Sequence, residues 1–274
     1  MPQWIADSGF GYRLLQPFGI ELEVDLSAPL SDDQAKAFVR LLWTNGLVLV
    51  RGQRLSMDRQ RELCGLAGPI LIRAGENGYL STEGASAPSL SELRWHSDAA
   101  YTEAPFDLIA LHALDVVDQA SSTRFIHASN VLASLPAGLR SCIDGREVEM
   151  ISPTYDAIAL RTCDRRDPVA QKRGIRPAIY RNPHTGRDCI GVSELQCARV
   201  LEMPWEQSRD LLNEIYDDIY QPAHVLEHRW RNGDVIFWDN IALQHMRGPL
   251  NACGKRILQR VIVGTQGVAP HIPS

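Results

Sequence analysis

Paired cysteine motifs, a leader-like start, a membrane-length apolar run, internal repeats and an excess of basic residues are all missing from this 274-residue chain. The six cysteines (Cys64, Cys142, Cys163, Cys189, Cys197, Cys253) include no CxxC pair, and a chain this long needs no disulfide framework. They read as reduced thiols of a cytoplasmic protein. The first residues lack a charged segment followed by an apolar one, so a secretory leader is not expected. No uninterrupted apolar stretch approaches the ~18 residues that cross a membrane. With 28 Lys+Arg against 33 Asp+Glu, the net charge is −5, which argues against a dedicated nucleic-acid binder. An apolar share of 45% with 22% charged residues excludes a disordered, collagen-like or coiled-coil chain. The oligomeric state, including a homo-oligomer, is left open.

What is present has a clear order. Ser31 and Gln34 have the spacing of a capping box. Ala35, Phe38, Val39, Leu41, Leu42 and Trp43 then give an apolar helical stripe that stops at Asn45-Gly46. Leu47–Val50 reads as a buried strand, and a second helix is expected from Ser56 to about Leu66. Residues 74–93, rich in Gly, Ser, Ala and Glu, read as a surface loop. Strand texture dominates thereafter: 107–117, 123–128, 147–151, 225–230, 235–238, 242–245 and 257–263. It is interrupted by a helical region around 130–143, broken at Pro136, and by a helix after Pro204. Helices early and many short strands later predict one antiparallel β-sandwich or barrel decorated by helices, not a doubly wound α/β fold. A single domain spanning 1–274 is expected, with helical elements mostly within 31–66 and 204–220.

The chemistry begins at Arg94-Trp95-His96-Ser97-Asp98. Residues two apart on an extended segment share a face, so His96 and Asp98 can converge on one metal ion. Two imidazoles and one carboxylate on one face of an octahedron leave open positions, which suits non-heme Fe(II) oxygen chemistry. His245 is the candidate for the second imidazole. A lone HxD is more often coincidence than ligation. Arg256 and Arg260, 11 and 15 residues beyond His245, add weight. If 257–263 pairs antiparallel to the His245 strand, one of these arginines can face the metal. A guanidinium there would receive a carboxylate, as a dicarboxylate such as 2-oxoglutarate would supply.

These residues resemble those of the Fe(II)/2-oxoglutarate-dependent dioxygenases of the taurine dioxygenase (clavaminate synthase-like) family. WHSD at 95–98, WDNIALQH at 238–245 and the arginine at 256 carry the likeness. So do the early strand segment Gly46–Gln53, an HRWxxGD-like hairpin at 228–234 and an HPxTG-like turn at 182–186. The match runs in consistent order from about residue 30 to 265. The resemblance implies an α+β, mainly β fold, with a double-stranded β-helix (jelly-roll) core and flanking helices. It implies His96, Asp98 and His245 as iron ligands and Arg256 as partner of the distal carboxylate of 2-oxoglutarate. Thr123 would be a further co-substrate contact, and Arg260 a second arginine near co-substrate or substrate. Cofactors would be Fe(II), 2-oxoglutarate and O2. The activity would be hydroxylation, or another oxidation, of a C–H bond in a small polar or anionic molecule, releasing succinate and CO2. Natural-product biosynthesis is favoured over sulfonate or xenobiotic degradation.

The chain also departs from the family pattern. Ala120-Ser121-Ser122 replaces the usual Gly-Gly-Asp before Thr123, and Ile241 stands where arginine is common. Residues 68–73 lack the histidine of taurine-specific members, which puts taurine in doubt. Asp98 disfavours halogenation, which needs a small residue there. Rival readings are a non-catalytic metal-binding jelly roll and a zinc hydrolase on the same ligands. Arg73 and Tyr101 are candidate substrate residues by position alone. The basic residues within 153–177 read as a solvated loop or as a lid that draws anions. His112 reads as a satisfied core histidine, and Trp95 and Trp238 as packing that fixes the metal ligands.

Overall fold

The computed structural model describes residues 4–7, 9–71, 78–83, 91–153, 158–166, 168 and 170–264. In chain order the elements are β1 (Ile5–Asp7), β2 (Phe10–Leu14), β3 (Ile20–Glu23), α1 (Asp32–Asn45), β4 (Leu47–Val50), α2 (Met57–Gly65), β5 (Gly78–Ser81), β6 (Leu93–His96), β7 (Leu108–Val116) and β8 (Ser122–His127). Then follow α3 (Ala128–Ser134), α4 (Ala137–Ile143), β9 (Glu147–Pro153), β10 (Ala170–Pro177), β11 (Ile179–Arg181), β12 (Asp188–Ile190), β13 (Cys197–Val200), α5 (Trp205–Ile219), β14 (Leu226–Arg229), β15 (Val235–Asp239), β16 (Leu243–Arg247) and β17 (Arg256–Val263).

Two sheets do most of the work. The larger runs β1-β2-β3-β4-β15-β7-β17-β5 and the smaller β14-β8-β16-β6. Their strands pair antiparallel except β3 with β4. Leu47, Leu49, Ile109, Leu111, Ile236, Trp238, Leu258 and Ile262 of the large sheet pack with Phe125 and Leu243 of the small one, giving a core between the sheets. Alternate residues of the large sheet, Val48, Val50, Ala110, Phe237 and Val261, instead pack with Phe38, Leu41, Leu42 and Leu63 of α1 and α2. The outer face of the small sheet, through Trp95, Ile126 and Met246, packs with α3, α4, α5 and the β9–β13 layer. This is period-two alternation between two buried faces, as expected of a jelly roll covered by helices.

The first helix forms where its cap dictates. Ser31 Oγ accepts from the Gln34 amide at 3.2 Å, and Gln34 Oε1 accepts from the Ser31 amide at 3.0 Å. Gly46 ends it with φ 74°, a conformation that a side chain would strain. Chain reversal there drops Leu47 straight into β4.

Three expectations change. Residues 74–93 are not all loop: β5 pairs with β17 at the edge of the large sheet, and β6 begins at Leu93. Its short, glycine-led sequence hid the strand. Residues 153–177 are not all irregular either, since Ala170–Pro177 forms β10 against β9. Its cations obscured the pattern, and one of them is paired within the sheet: Arg173 Nη1 donates to Glu149 at 2.7 Å. Arg161 donates to Glu194, Asn213 and Asp217. The third addition is β1–β3, whose buried Phe10, Ile20 and Leu22 extend the large sheet. His112 is only half satisfied, with Nε2 3.2 Å from the Gln53 carbonyl oxygen and Nδ1 buried without a hydrogen-bond partner.

Two of the sequence motifs turn out to be structural. The buried Asp234 carboxylate accepts from Arg51 Nη1 at 3.0 and 3.1 Å and from the Arg231 amide at 3.0 Å, and lies 3.1 Å from His228 Nε2. Gln53 accepts from the Leu26 amide and donates to the Val24 and Arg51 carbonyls. These contacts staple β4 to the β14–β15 hairpin. Asp234→Ala is expected to cost about 3 kcal/mol, because buried donors lose their acceptor. A chemical-denaturation midpoint checks this; an unshifted midpoint would show that the carboxylate is dispensable.

Candidate metal centre

His96 ends β6 and is paired with His245 in the middle of β16. Their rings lie with centroids 4.2 Å apart, tilted by 46°. Asp98 lies just past the strand end, with Oδ1 3.2 Å from His96 Nε2 and 3.8 Å from His245 Nε2. Donor atoms of all three residues fall within 4.8 Å of one another. Two ligand atoms about 2.1 Å from one metal and at right angles sit about 3 Å apart, so this cluster needs little adjustment to ligate.

The protonation of the cluster favours ligation. His96 Nδ1 lies 2.7 Å from the Arg94 carbonyl oxygen, which orients the ring so that Nε2 faces Asp98. Burial pushes the His245 imidazole down to about 3, with the His96 and Arg260 charges adding to the effect against Asp98, so His245 is neutral. Burial alone would raise Asp98. Its neighbours His96, His245 and Arg260 outweigh burial and hold the carboxyl well below the usual carboxylate range. The donor set is two imidazoles and a carboxylate, with no thiolate.

Packing fixes the geometry. Trp238 meets the His245 ring edge-on at 5.2 Å, and Phe125 lies 6.3 Å away. On the opposite face, Trp95 stacks on Tyr220 at 4.7 Å. Asp98 is set by Asn240, a residue the sequence reading treated only as part of a turn. Asn240 Oδ1 accepts from the Asp98 amide at 3.0 Å, and its Nδ2 donates to the Asp98 and Phe106 carbonyls, both at 3.0 Å. Its signal in the sequence was its place in WDN. Asn240→Ala is expected to weaken metal binding about 10- to 100-fold without unfolding the protein. Titration with Mn(II) measures this, and wild-type affinity would remove Asn240 from the site.

Both arginines of the sequence reading reach the core between the sheets. Arg256, Leu258, Arg260 and Ile262 alternate onto the same face of β17, opposite Val116, Ala113, Leu111 and Ile109 of β7. Arg260 is the one whose charge acts on Asp98 and His245. Arg256 is 3% exposed, its Nε has no hydrogen-bond partner, and among the described residues no carboxylate pairs with it. Burial first, and the Arg247 charge second, push its guanidinium down to about 10. Thr123 is buried on β8 and its Oγ1 accepts from Trp230 Nε1 at 3.0 Å. Tyr101 is half-buried and packs against the apolar cluster outside the small sheet. Arg73 lies outside the described residues. A cavity of about 220 Å³, lined by Ser97, Tyr180, Asn240 and Gln244 among others, adjoins the segments that carry the ligands without being lined by the ligands themselves.

Known proteins are similar to this chain in sequence or in fold. Pentalenolactone F synthase of Streptomyces arenae is 28% identical over 99 residues, 36% of this chain and 33% of that protein. An alpha-ketoglutarate-dependent 2,4-dichlorophenoxyacetate dioxygenase of Cupriavidus pinatubonensis is 23% identical, over 88% of this chain and 92% of its own. The crystal structure of a taurine dioxygenase from Burkholderia xenovorans superposes with a TM-score of 0.78 at 21% identity, covering 96% of this chain and 94% of that one. The family model described as "Taurine catabolism dioxygenase TauD, TfdA family" matches residues 11–262, a span that includes His96, Asp98, His245 and both inward arginines. The chain therefore belongs to the TauD/TfdA dioxygenase family.

Proposed function

We propose that this dioxygenase holds Fe(II) on His96, Asp98 and His245 and, with 2-oxoglutarate and O2, hydroxylates a C–H bond of a small polar or anionic molecule. Succinate and CO2 are the co-products. The observation that carries the reading is the pairing of a two-histidine, one-carboxylate cluster with Arg256, a buried cation without a carboxylate of its own. The donor set fits a divalent metal that prefers nitrogen and oxygen ligands. When bound, the metal supplies the site at which O2 is activated as 2-oxoglutarate is decarboxylated.

The chain's own residues supply the rest. Arg256 and Thr123 receive the distal carboxylate, and Arg260 places positive charge beside the ligands. Phe125 and Trp238 keep bulk water from the His245 side. Tyr101, three residues past Asp98, borders the substrate. The whole chain acts as a single oxygenase domain. The partial match to pentalenolactone F synthase supports a natural-product substrate. Five buried thiols and one exposed one, all unpaired, support a reducing, cytoplasmic setting.

The test is aerobic incubation with Fe(II), 2-oxoglutarate and a panel of small acids, lactones and sulfonates, with succinate quantified. Substrate-dependent succinate is expected with Fe(II) and none with Zn(II). Zn(II)-supported turnover, or no 2-oxoglutarate consumption with any metal, would overturn the proposal.

A further inference from the structure

The strand that carries the first metal ligand lies at an edge. β6 is the last strand of the small sheet, so one of its sides faces no partner strand. It is four residues long, His96 is its final residue, and Asp98 lies beyond it. A short edge strand presents unpaired N–H and C=O groups and opens readily. Here a turn at residues 193–196 fills that side. The Leu195 amide donates to the Trp95 carbonyl at 3.1 Å. The Gln196 carboxamide then takes both backbone groups of Ser97. Its Nε2 donates to the Ser97 carbonyl at 2.9 Å, and its Oε1 accepts from the Ser97 amide at 3.4 Å. Ser97 is the residue between His96 and Asp98. One side chain thus continues the sheet past the end of its last strand.

The turn is itself anchored. Ser193, Glu194, Leu195 and Gln196 are all buried. The Ser193 carbonyl accepts from the Tyr216 hydroxyl of α5 at 2.9 Å, and the Gln196 carbonyl accepts from the Ile151 amide of β9 at 2.8 Å. The Glu194 carboxylate receives Arg94 of β6 at 3.2 Å and Arg161 at 2.7 Å. A carboxamide carried on such a backbone is set in advance. On the other flank, the Ser97 hydroxyl donates to the Leu243 carbonyl at 2.8 Å, at the start of the strand that bears His245. Ser97 is therefore gripped from both sides, and its position sets the spacing of the two ligands next to it.

We propose that Gln196 is a positioning residue for the metal centre. By bonding both backbone groups of Ser97, it holds His96 and Asp98 at the separation that ligation needs. This rests on the reading of His96, Asp98 and His245 as ligands.

The experiment is titration of the metal-free full chain with Mn(II), followed by electron paramagnetic resonance, beside thermal unfolding of the metal-free form. Gln196→Met fills similar volume and loses both hydrogen bonds. It is expected to weaken Mn(II) about 10- to 100-fold and to change the spectrum of the bound ion. Gln53→Met is the control for a merely structural role. Gln53 is another buried carboxamide, bonded to Leu26, Val24 and Arg51. Its loss should lower the melting temperature comparably yet leave Mn(II) affinity within about threefold of wild type. Gln196→Asn serves if the methionine variant does not fold. It keeps the amide but ends about 1.5 Å short, and is expected to weaken Mn(II) about tenfold. Wild-type affinity in a folded Gln196 variant, or an equal loss of affinity in Gln53→Met, would overturn the positioning role alone. A wild-type chain that takes up no Mn(II) would overturn the ligand reading, and the positioning role with it.

Discussion

Changing His245 to alanine is expected to lower affinity for Fe(II) or Mn(II) by roughly two to three orders of magnitude and to abolish succinate formation. Two to three orders of magnitude correspond to about 3–4 kcal/mol for the lost imidazole, at about 1.4 kcal/mol per tenfold. Asp98 and His96 remain, 3.2 Å apart, but two donors cannot define an octahedral face. The loss should not arise from unfolding. The His245 ring is neutral and buried against Trp238 and Phe125, so its removal strands no charge of its own. Equilibrium dialysis with Mn(II) and a thermal unfolding curve separate the two effects. Tight stoichiometric metal binding by the variant would sink the triad.

The sequence pattern revealed the ligands unequally. His96 and Asp98 are local, two residues apart, and an extended backbone places them together without any knowledge of the fold. His245 becomes their partner only through the β6–β16 register, a tertiary fact that composition and periodicity do not contain. Motif order supplied that link. The same motifs mixed two roles: Asp234 and Gln53 hold β4 to the β14–β15 hairpin, whereas Asn240 sets the backbone of Asp98. Local spacing alone does not distinguish these. The early meander β1–β3 was missed because its strands are short and β1 is largely exposed. β10 was missed because Lys172, Arg173 and Arg176 suggested solvent, although Arg173 is paired with Glu149 in the sheet.

Arg256→Met is expected to separate stability from function in opposite directions. A buried guanidinium pushed down to about 10 bears a penalty on its charged form of about 3 kcal/mol relative to water. Methionine fills similar volume with no charge, so the ligand-free variant should be as stable as wild type or more so. Binding of 2-oxoglutarate should fall by about two to three orders of magnitude, since the carboxylate enters a core that has lost a matching cation. Stabilisation by the co-substrate follows its affinity. At a concentration 100 times the wild-type Kd, wild type gains about 2.7 kcal/mol, and the variant gains almost nothing. Thermal melts of the Mn(II) form, with and without 2-oxoglutarate, read both quantities at once. A variant that melts earlier without ligand yet still gains the full shift with it would mean that Arg256 supports the fold and does not hold the co-substrate. The expected pattern, a higher baseline with a lost shift, would identify this arginine as a charge kept buried at the expense of stability so that an anion can be bound.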